Sequence, residues 1–346
     1  ALILTYSNKG KGEASRNLHR YARNYKMVEG NKPLKILLNS WEGVYFNISE
    51  DKIGNLIDDS AKIGVELFVM DDGWFGNKYS RDNGNQGLGD WQTSQKKLPN
   101  GIENLIDQAE LRGIKFGIWV EPEMVNTKSE LYEKHPDWIL QNADRELVKG
   151  RGGTQVVLDL TNPKVQDFVF SVVDNLLLKH PRIDYIKWDA NSSLANYGST
   201  YLPKEKQSQL YVDFHLGLQK VFKRLRAKYL NITMEACASG GGRANYGYLE
   251  YFNEFWTSDN TDALQRIYSQ WGMSNIFPAN SIASHVSKIP NHQTRRVIPL
   301  KFRFDVSMTG KLGIDLLPKD LTDEETKFTK SAIETYKQIR PIIKNG

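Results

Sequence analysis

Eight short apolar segments recur along the 346-residue chain, each running into polar residues at its C-terminal end. They read KILLNSW (35–41), ELFVMDDGW (66–74), KFGIWVEPEM (115–124), DYIKWDAN (184–191), NITMEACASG (231–240), EFWTSDN (254–260), NIFPANSIASH (275–285) and FRFDVSMTGKLGID (302–315). Helical periodicity fills most of the gaps, over 49–64, 100–113, 162–179, 207–229 and 323–339. Ser49 is placed to cap the first of these, Gly113 to close the second, and Pro163 to open the third. Strands alternating with helices predict a parallel sheet with right-handed crossovers. Eight such units in about 310 residues fit a closed α/β architecture, the (β/α)8 TIM barrel. A doubly wound open sheet is the alternative. It usually carries fewer strands, and no GxGxxG turn occurs in this chain.

The remaining stretches are polar. The first 30 residues show no signal-peptide pattern and start at Ala1, so 1–30 is expected to be a lead-in from an upstream segment, with the barrel over 31–346. Residues 76–101 form a long Gly/Asn-rich segment of the kind that builds a site at a barrel mouth. Residues 141–161 are expected to fold back as a small hairpin.

Charge narrows the function classes. The 46 basic and 41 acidic residues are interspersed, without a basic tail or helix, which argues against nucleic acid as a partner. No apolar run reaches the roughly 18 residues of a membrane span, so no membrane partner is expected. One cysteine, Cys237, excludes an internal disulfide and leaves the compartment undetermined. The Asn-x-Ser/Thr matches at Asn47, Asn191 and Asn231 read as chance.

The strand ends carry the chemistry. Trp41 and Glu42, Asp71 and Asp72, Trp119, Glu121 and Glu123, Lys187, Asp189 and Asn191, Glu235 and Cys237, Asp259 and Asp262, and His285 follow one another in strand order. In a barrel these ends meet on one face. Any one of them can be a turn residue or a helix cap, as for Asp72 or Asp262. Together they predict a deep acidic cleft for a polyhydroxylated or cationic ligand. Metal hydrolysis needs histidine spacings that are missing, and no cofactor is called for; His285 alone reads as a satisfied hydrogen-bonding residue. CASGGGR (237–243) lacks the GxSxG pattern of a serine nucleophile, though its glycines leave a phosphate reading open. Paired carboxylates with aromatic platforms suit glycoside hydrolysis.

DDGWF (71–75), GIWVEPEM (117–124), KWDAN (187–191), CASGGGR (237–243) and WTSDNTD (256–262), in this order, resemble the glycoside hydrolase family 36 α-galactosidases from about residue 12 to residue 320. The resemblance implies a catalytic (β/α)8 barrel without the flanking β-domains that members usually carry. It implies a retaining enzyme that needs no metal or cofactor and acts on α-galactoside oligosaccharides or glycoconjugates. Asp189, on the fourth strand, would be the nucleophile and Asp259, on the sixth, the acid/base. Lys187 would favour the charged Asp189 and contact sugar hydroxyls. Asp71 and Asp72 would accept from O4 and O6. Trp41 and Trp119 would wall the sugar ring, Arg151 would contact substrate, and Asn191, Cys237 and Gly240 would line the O2 side. Members are often homo-oligomers, and no interface is legible here. Where many members read CSGGGGR this chain has Ala238 and Ser239, which keeps an α-N-acetylgalactosaminidase as the alternative, beside a galactosyl transferase of the raffinose-synthase type. A non-catalytic sugar-binding module and a phosphate-binding barrel are the rivals from other classes.

Overall fold

The computed structural model describes residues 2–32, 35–142 and 144–345, so Ala1, Pro33, Leu34, Ala143 and Gly346, which fall within the expected segments 1–30, 31–346 and 141–161, lie outside the described residues. Eight parallel strands close into a barrel: β1 (Leu37–Asn39), β2 (Leu67–Met70), β3 (Lys115–Val120), β6 (Ile183–Trp188), β7 (Thr233–Ala236), β8 (Glu254–Trp256), β9 (Ile282–Ser287) and β10 (Lys311–Asp315), with β10 pairing back on β1. Two further short strands, β4 (Met124–Asn126) and β5 (Gln155–Val157), pair antiparallel above the mouth. Helices α1 (Lys11–Tyr21), α2 (Trp41–Val44), α3 (Glu50–Ile63), α4 (Gly101–Leu111), α5 (Glu130–Lys134), α6 (Pro163–Lys179), α7 (Leu210–Lys228), α8 (Ala263–Ser274), α9 (Leu300–Ser307) and α10 (Asp323–Asn345) complete the chain.

The helices start and stop where side chains satisfy their free backbone groups. Ser49 Oγ accepts from Lys52 N at 3.4 Å ahead of α3, and Gly64 closes that helix in the left-handed region at φ 95°. Asn162 caps α6 with Pro163 in its first turn. Asp262 caps α8 through Gln265 N at 3.1 Å, so this strand-end aspartate is a structural cap. Ile53, Leu56, Ile57 and Ile63 of α3 and Leu105, Ile106 and Ala109 of α4 are buried in one continuous core with the outer faces of the strands. At roughly 25 cal/mol per Å2 of apolar surface, this sleeve is the main source of stability.

Three expectations are corrected, and two helices stand where the sequence reading assigned none. The stretch 302–315 is a helix followed by a strand. Its FRFDV alternation imitates a strand, but Arg303, Phe304 and Ser307 are buried with helical spacing, and Arg303 NH1 donates to Ser287 O at 2.5 Å. In 275–285 the strand begins only at Ile282. The polar stretch near the start contains α1, and α8 lies where no helix was assigned. No hairpin forms within 141–161 among the described residues. Instead β5 pairs with the earlier strand β4, through Asn126 opposite Gln155.

The barrel interior is unusually polar. Lys311 Nζ lies 2.6 Å from Glu254 Oε1, the oxygen that also accepts from Tyr185 Oη at 2.5 Å. Lys311 and Glu254 are buried to 2% and 0% exposure. Breaking such a pair from one side strands a charge. Lys311→Met is expected to lower the unfolding free energy by about 3–5 kcal/mol. Lys311→Met/Glu254→Gln should recover more than half of it in urea titrations. A single-variant loss below about 1 kcal/mol would show that the pair does not hold the barrel core.

Candidate active site

The C-terminal ends of the strands enclose a cavity of about 270 Å3. β2 delivers Asp71 and Asp72, β3 Trp119, β6 Lys187 followed by Asp189 and Asn191, β7 Cys237, and β8 Trp256 followed by Asp259; Trp41 comes from α2 and Arg151 from the loop before β5. All of these line the one cavity. Register explains part of the convergence. Trp119 lies opposite Lys187, and Lys187 opposite Glu235, on neighbouring parallel strands. Residues in one such row share one face of the sheet.

Asp189 is held by N–H donors. Trp119 Nε1 donates to its Oδ2 at 3.1 Å, Asn191 Nδ2 to the same oxygen at 2.7 Å, and Ala190 N to Oδ1 at 2.8 Å. Trp119 is therefore a hydrogen-bonding partner as well as a wall. Lys187 does not bond Asp189 directly. Its Nζ pairs with Asp71 Oδ2 at 2.8 Å and stands 5.4 Å from the Trp256 ring centre. Burial opposes its charge, but Asp71 and Glu235 outweigh burial and hold the ammonium well above its usual range.

Asp259 sits differently. Trp256 Nε1 donates to its Oδ1 at 3.0 Å. Burial first, and the charge of Asp189 second, raise its pKa, so the site favours a proton on Asp259. Two aspartates on one cavity thus lie in contrasting surroundings.

Asp72 is clamped. Arg81 Nε meets its Oδ1 at 2.9 Å and Arg81 NH2 its Oδ2 at 2.8 Å, both side chains buried. Arg81 also donates to Asn126 Oδ1 at 2.9 Å and Gln86 O at 3.1 Å, which ties the long 76–101 loop to the barrel mouth. Arg151 reaches the cavity from the rim; partial burial works against its charge, and Glu121, Asp189, Asp72 and Asp259 together raise its pKa. Cys237 is buried, and burial followed by the charges of Asp189 and Asp259 keeps its thiol protonated.

Gly240 does not line the cavity. At φ +98° it packs the loop after β7 against the backbone of Ser258, where a Cβ would come within 2.8 Å of the Ser258 Cα. His285 is also not as expected. Neither ring nitrogen finds a hydrogen bond among the described residues, and its Nδ1 stands 3.6 Å from Asp315 Oδ2. Burial, then Lys187, holds it neutral.

Several residues of the mouth escaped the sequence reading. Asp315 ends the eighth strand and obeys the strand-end rule that found the others; burial raises it to about 7. Tyr45, Trp256, Thr261, His292 and Gln293 also line the cavity. Thr261 Oγ1 donates to Glu42 Oε1 at 2.5 Å, and His292 Nδ1 lies 3.3 Å from the same oxygen. His292 and Gln293 come from the loop after β9, which carries no periodic signal.

Glu121 and Glu123 lie behind the wall. Glu123 binds Arg243 NH1 at 2.7 Å and accepts from Trp188 Nε1 at 2.7 Å. Glu121 is fully buried and pushed up to about 8, by burial and then by the charge of Asp189.

With this geometry in view, the chain can be set beside known proteins. The Melibiase family model matches residues 1–346. The chain is 40% identical over 348 residues to alpha-galactosidase AgaA of Geobacillus stearothermophilus, covering 100% of this chain and 47% of the relative. It is 38% identical over 348 residues to alpha-galactosidase 1 of Pediococcus pentosaceus, covering 100% and 46%. The crystal structure of the Geobacillus enzyme, a GH36 alpha-galactosidase, superposes with a TM-score of 0.93 at 39% identity over 98% of this chain and 47% of that one. The alpha-galactosidase of Lactobacillus brevis gives 0.94 at 35% identity over 98% and 45%. Variants of the Geobacillus enzyme have been crystallised with 1-deoxygalactonojirimycin, stachyose and raffinose. The chain spans about half the length of these relatives. It belongs to the melibiase family, with the barrel of the glycoside hydrolase family 36 α-galactosidases.

Proposed function

We propose that the chain is the catalytic barrel of a retaining exo-α-galactosidase that releases terminal α-linked galactose from oligosaccharides by double displacement. One observation carries the reading: Asp189 and Asp259 line one cavity, the first gripped by three N–H donors and the second in surroundings that favour its proton. Hydrogen bonds to the charged form stabilise a carboxylate nucleophile, and a raised pKa suits a general acid.

In this scheme Asp189 attacks the anomeric carbon while Asp259 protonates the departing glycosidic oxygen. The C1–O bond breaks and an ester to Asp189 forms. Asp259, now charged, takes a proton from water as that water displaces Asp189 from C1. Asp71, paired with Lys187, and Asp72, clamped by Arg81, present rigid acceptors to sugar hydroxyls. Trp41 offers an apolar face to the ring. The cavity is smaller than the roughly 300–1,000 Å3 of drug-sized pockets, which favours a single sugar ring and hence cleavage at a chain end. Stachyose and raffinose, bound by the Geobacillus relative, carry such ends and belong to the expected substrate class. The flanking β-domains and a homo-oligomer belong to the same reading and rest on the family resemblance alone.

The test compares kcat/KM on an aryl α-galactoside and an aryl α-N-acetylgalactosaminide, with Asp189→Asn alongside. A preference for the galactoside, lowered at least about 1,000-fold in Asp189→Asn, is the expected outcome. Preference for the acetamido sugar would move the assignment to the N-acetylgalactosaminidase and to Ala238 and Ser239. Loss of neither activity in Asp189→Asn would remove Asp189 as nucleophile. Transfer to a sugar acceptor exceeding hydrolysis would favour the transferase.

The pH profile gives a second check. Asp259 must be protonated in the first step, so kcat/KM should fall as pH rises through its raised pKa. Asp259→Ala should abolish that basic limb and slow poor leaving groups by about 100- to 10,000-fold. An unchanged basic limb in the variant would assign the acid elsewhere. Activity should also be unchanged by EDTA, and a large loss would overturn the metal-free scheme.

A further inference from the structure

Glu121 lies one residue past β3, 0% exposed, with no cation paired to it among the described residues. A buried carboxyl group without a counter-ion is costly, so its retention needs a reason. Its Oε1 accepts from Gln155 Nε2 at 2.9 Å and from the backbone N–H of Asn191. Its Oε2 makes no hydrogen bond among the described residues.

Asn191 is the pivot of this arrangement. Its N–H is taken by Glu121. Its amide oxygen accepts from Ser239 N at 3.2 Å and from Ser239 Oγ at 3.1 Å. Its amide nitrogen then points to Asp189 Oδ2 at 2.7 Å. The amide is thereby fixed in orientation from both ends, by the β3 side and by the loop after β7. Gln155, from the β4–β5 ribbon, fixes Glu121 in turn.

We infer that Glu121 is a positioning residue for Asp189: it holds the Asn191 backbone so that the Asn191 amide fixes Oδ2 of the nucleophile, and it does so by reach rather than by charge. The inference rests on the reading of Asp189 as nucleophile. Reach suffices because a neutral carboxyl still accepts through Oε1. Burial and the neighbouring Asp189 favour that neutral form of Glu121.

Two conservative variants separate reach from charge. Glu121→Gln keeps the length and the accepting oxygen. Glu121→Asp keeps the carboxyl but withdraws it by one methylene. Displacements of about 1 Å in a catalytic site cost about 100-fold in rate. The Asp variant should therefore lose about 100-fold in kcat with KM within threefold, and the Gln variant should recover to within about tenfold of wild type. Active sites are counted by labelling with 5-fluoro-α-galactosyl fluoride, in which Asp189 displaces fluoride from C1 and forms an ester seen by mass. A purely structural role would lower the labelled fraction and Tm while leaving kcat per labelled site unchanged. An Asp variant with wild-type kcat per site, or a Gln variant as slow as the Asp variant, overturns the inference. Failure of the wild type to label at Asp189 overturns instead the nucleophile assignment. If Glu121→Asp does not fold, Asn191→Ala carries the test. Any loss from Glu121→Gln must vanish in the Asn191→Ala background, because the two act through one amide. A loss that persists there refutes the coupling.

Discussion

Closing β10 onto β1 brings eight strand ends round one mouth, and nearly every end carries a charge or a hydrogen-bonding group. Unscreened, that many carboxylates would repel one another by several kcal/mol per close pair. The barrel tolerates them in part because several are given a cation as partner. Lys187 serves Asp71, Arg81 serves Asp72, Arg243 serves Glu123, and Lys311 serves Glu254 deeper in the barrel. The cations come from elements other than those bearing the acids, so the pairs also lock loops and strands into register.

Asp189 and Asp259 stand outside this pairing, as Glu121 does, but unlike Glu121 they line the cavity. Neither has a cation in ion-pair contact among the described residues. Indole and amide N–H groups hold them instead: Trp119 and Asn191 on one, Trp256 on the other. Such donors orient a carboxylate without neutralising it. A lysine bonded directly to Asp189 would weaken it as a nucleophile, so the seating of Lys187 on Asp71 is consistent with the proposed chemistry. The same lysine lies over the Trp256 ring, whose N–H reaches Asp259, so the two halves of the site share one support.

Much of this was legible in the sequence, for a reason tied to parallel barrels. Strands end abruptly in polar residues only where the chain leaves the core, and all such ends share one face. That rule alone marks Asp71, Asp72, Trp119, Lys187, Asp189 and Asp259. It fails where the local pattern is ambiguous or the partner is remote. The FRFDV alternation of α9 hides a helix because Arg303 finds carbonyl partners inside the core. The polar α1 has little apolar face to betray it. Arg81, His292 and Gln293 lie on loops whose approach to the mouth depends on three-dimensional packing, and the β4–β5 ribbon joins Met124–Asn126 to Gln155–Val157 across a whole intervening helix and loop.

The least legible feature is the support behind the catalytic face, and the reason is physical. Most residues that line the cavity sit at or just past a strand end, but a residue that orients one of them needs only to be within hydrogen-bond reach in space. Glu121 shows the difference. Its position past β3 marks it as a strand-end carboxylate, yet its Oε1 bonds Gln155 from the ribbon and Asn191 from the loop after β6. Three segments far apart in the chain meet on one oxygen, which no periodicity encodes. Precision at the Asp189 carboxylate is thus a property of the closed fold, set by how the ribbon, the third strand and the fourth strand of the barrel pack together.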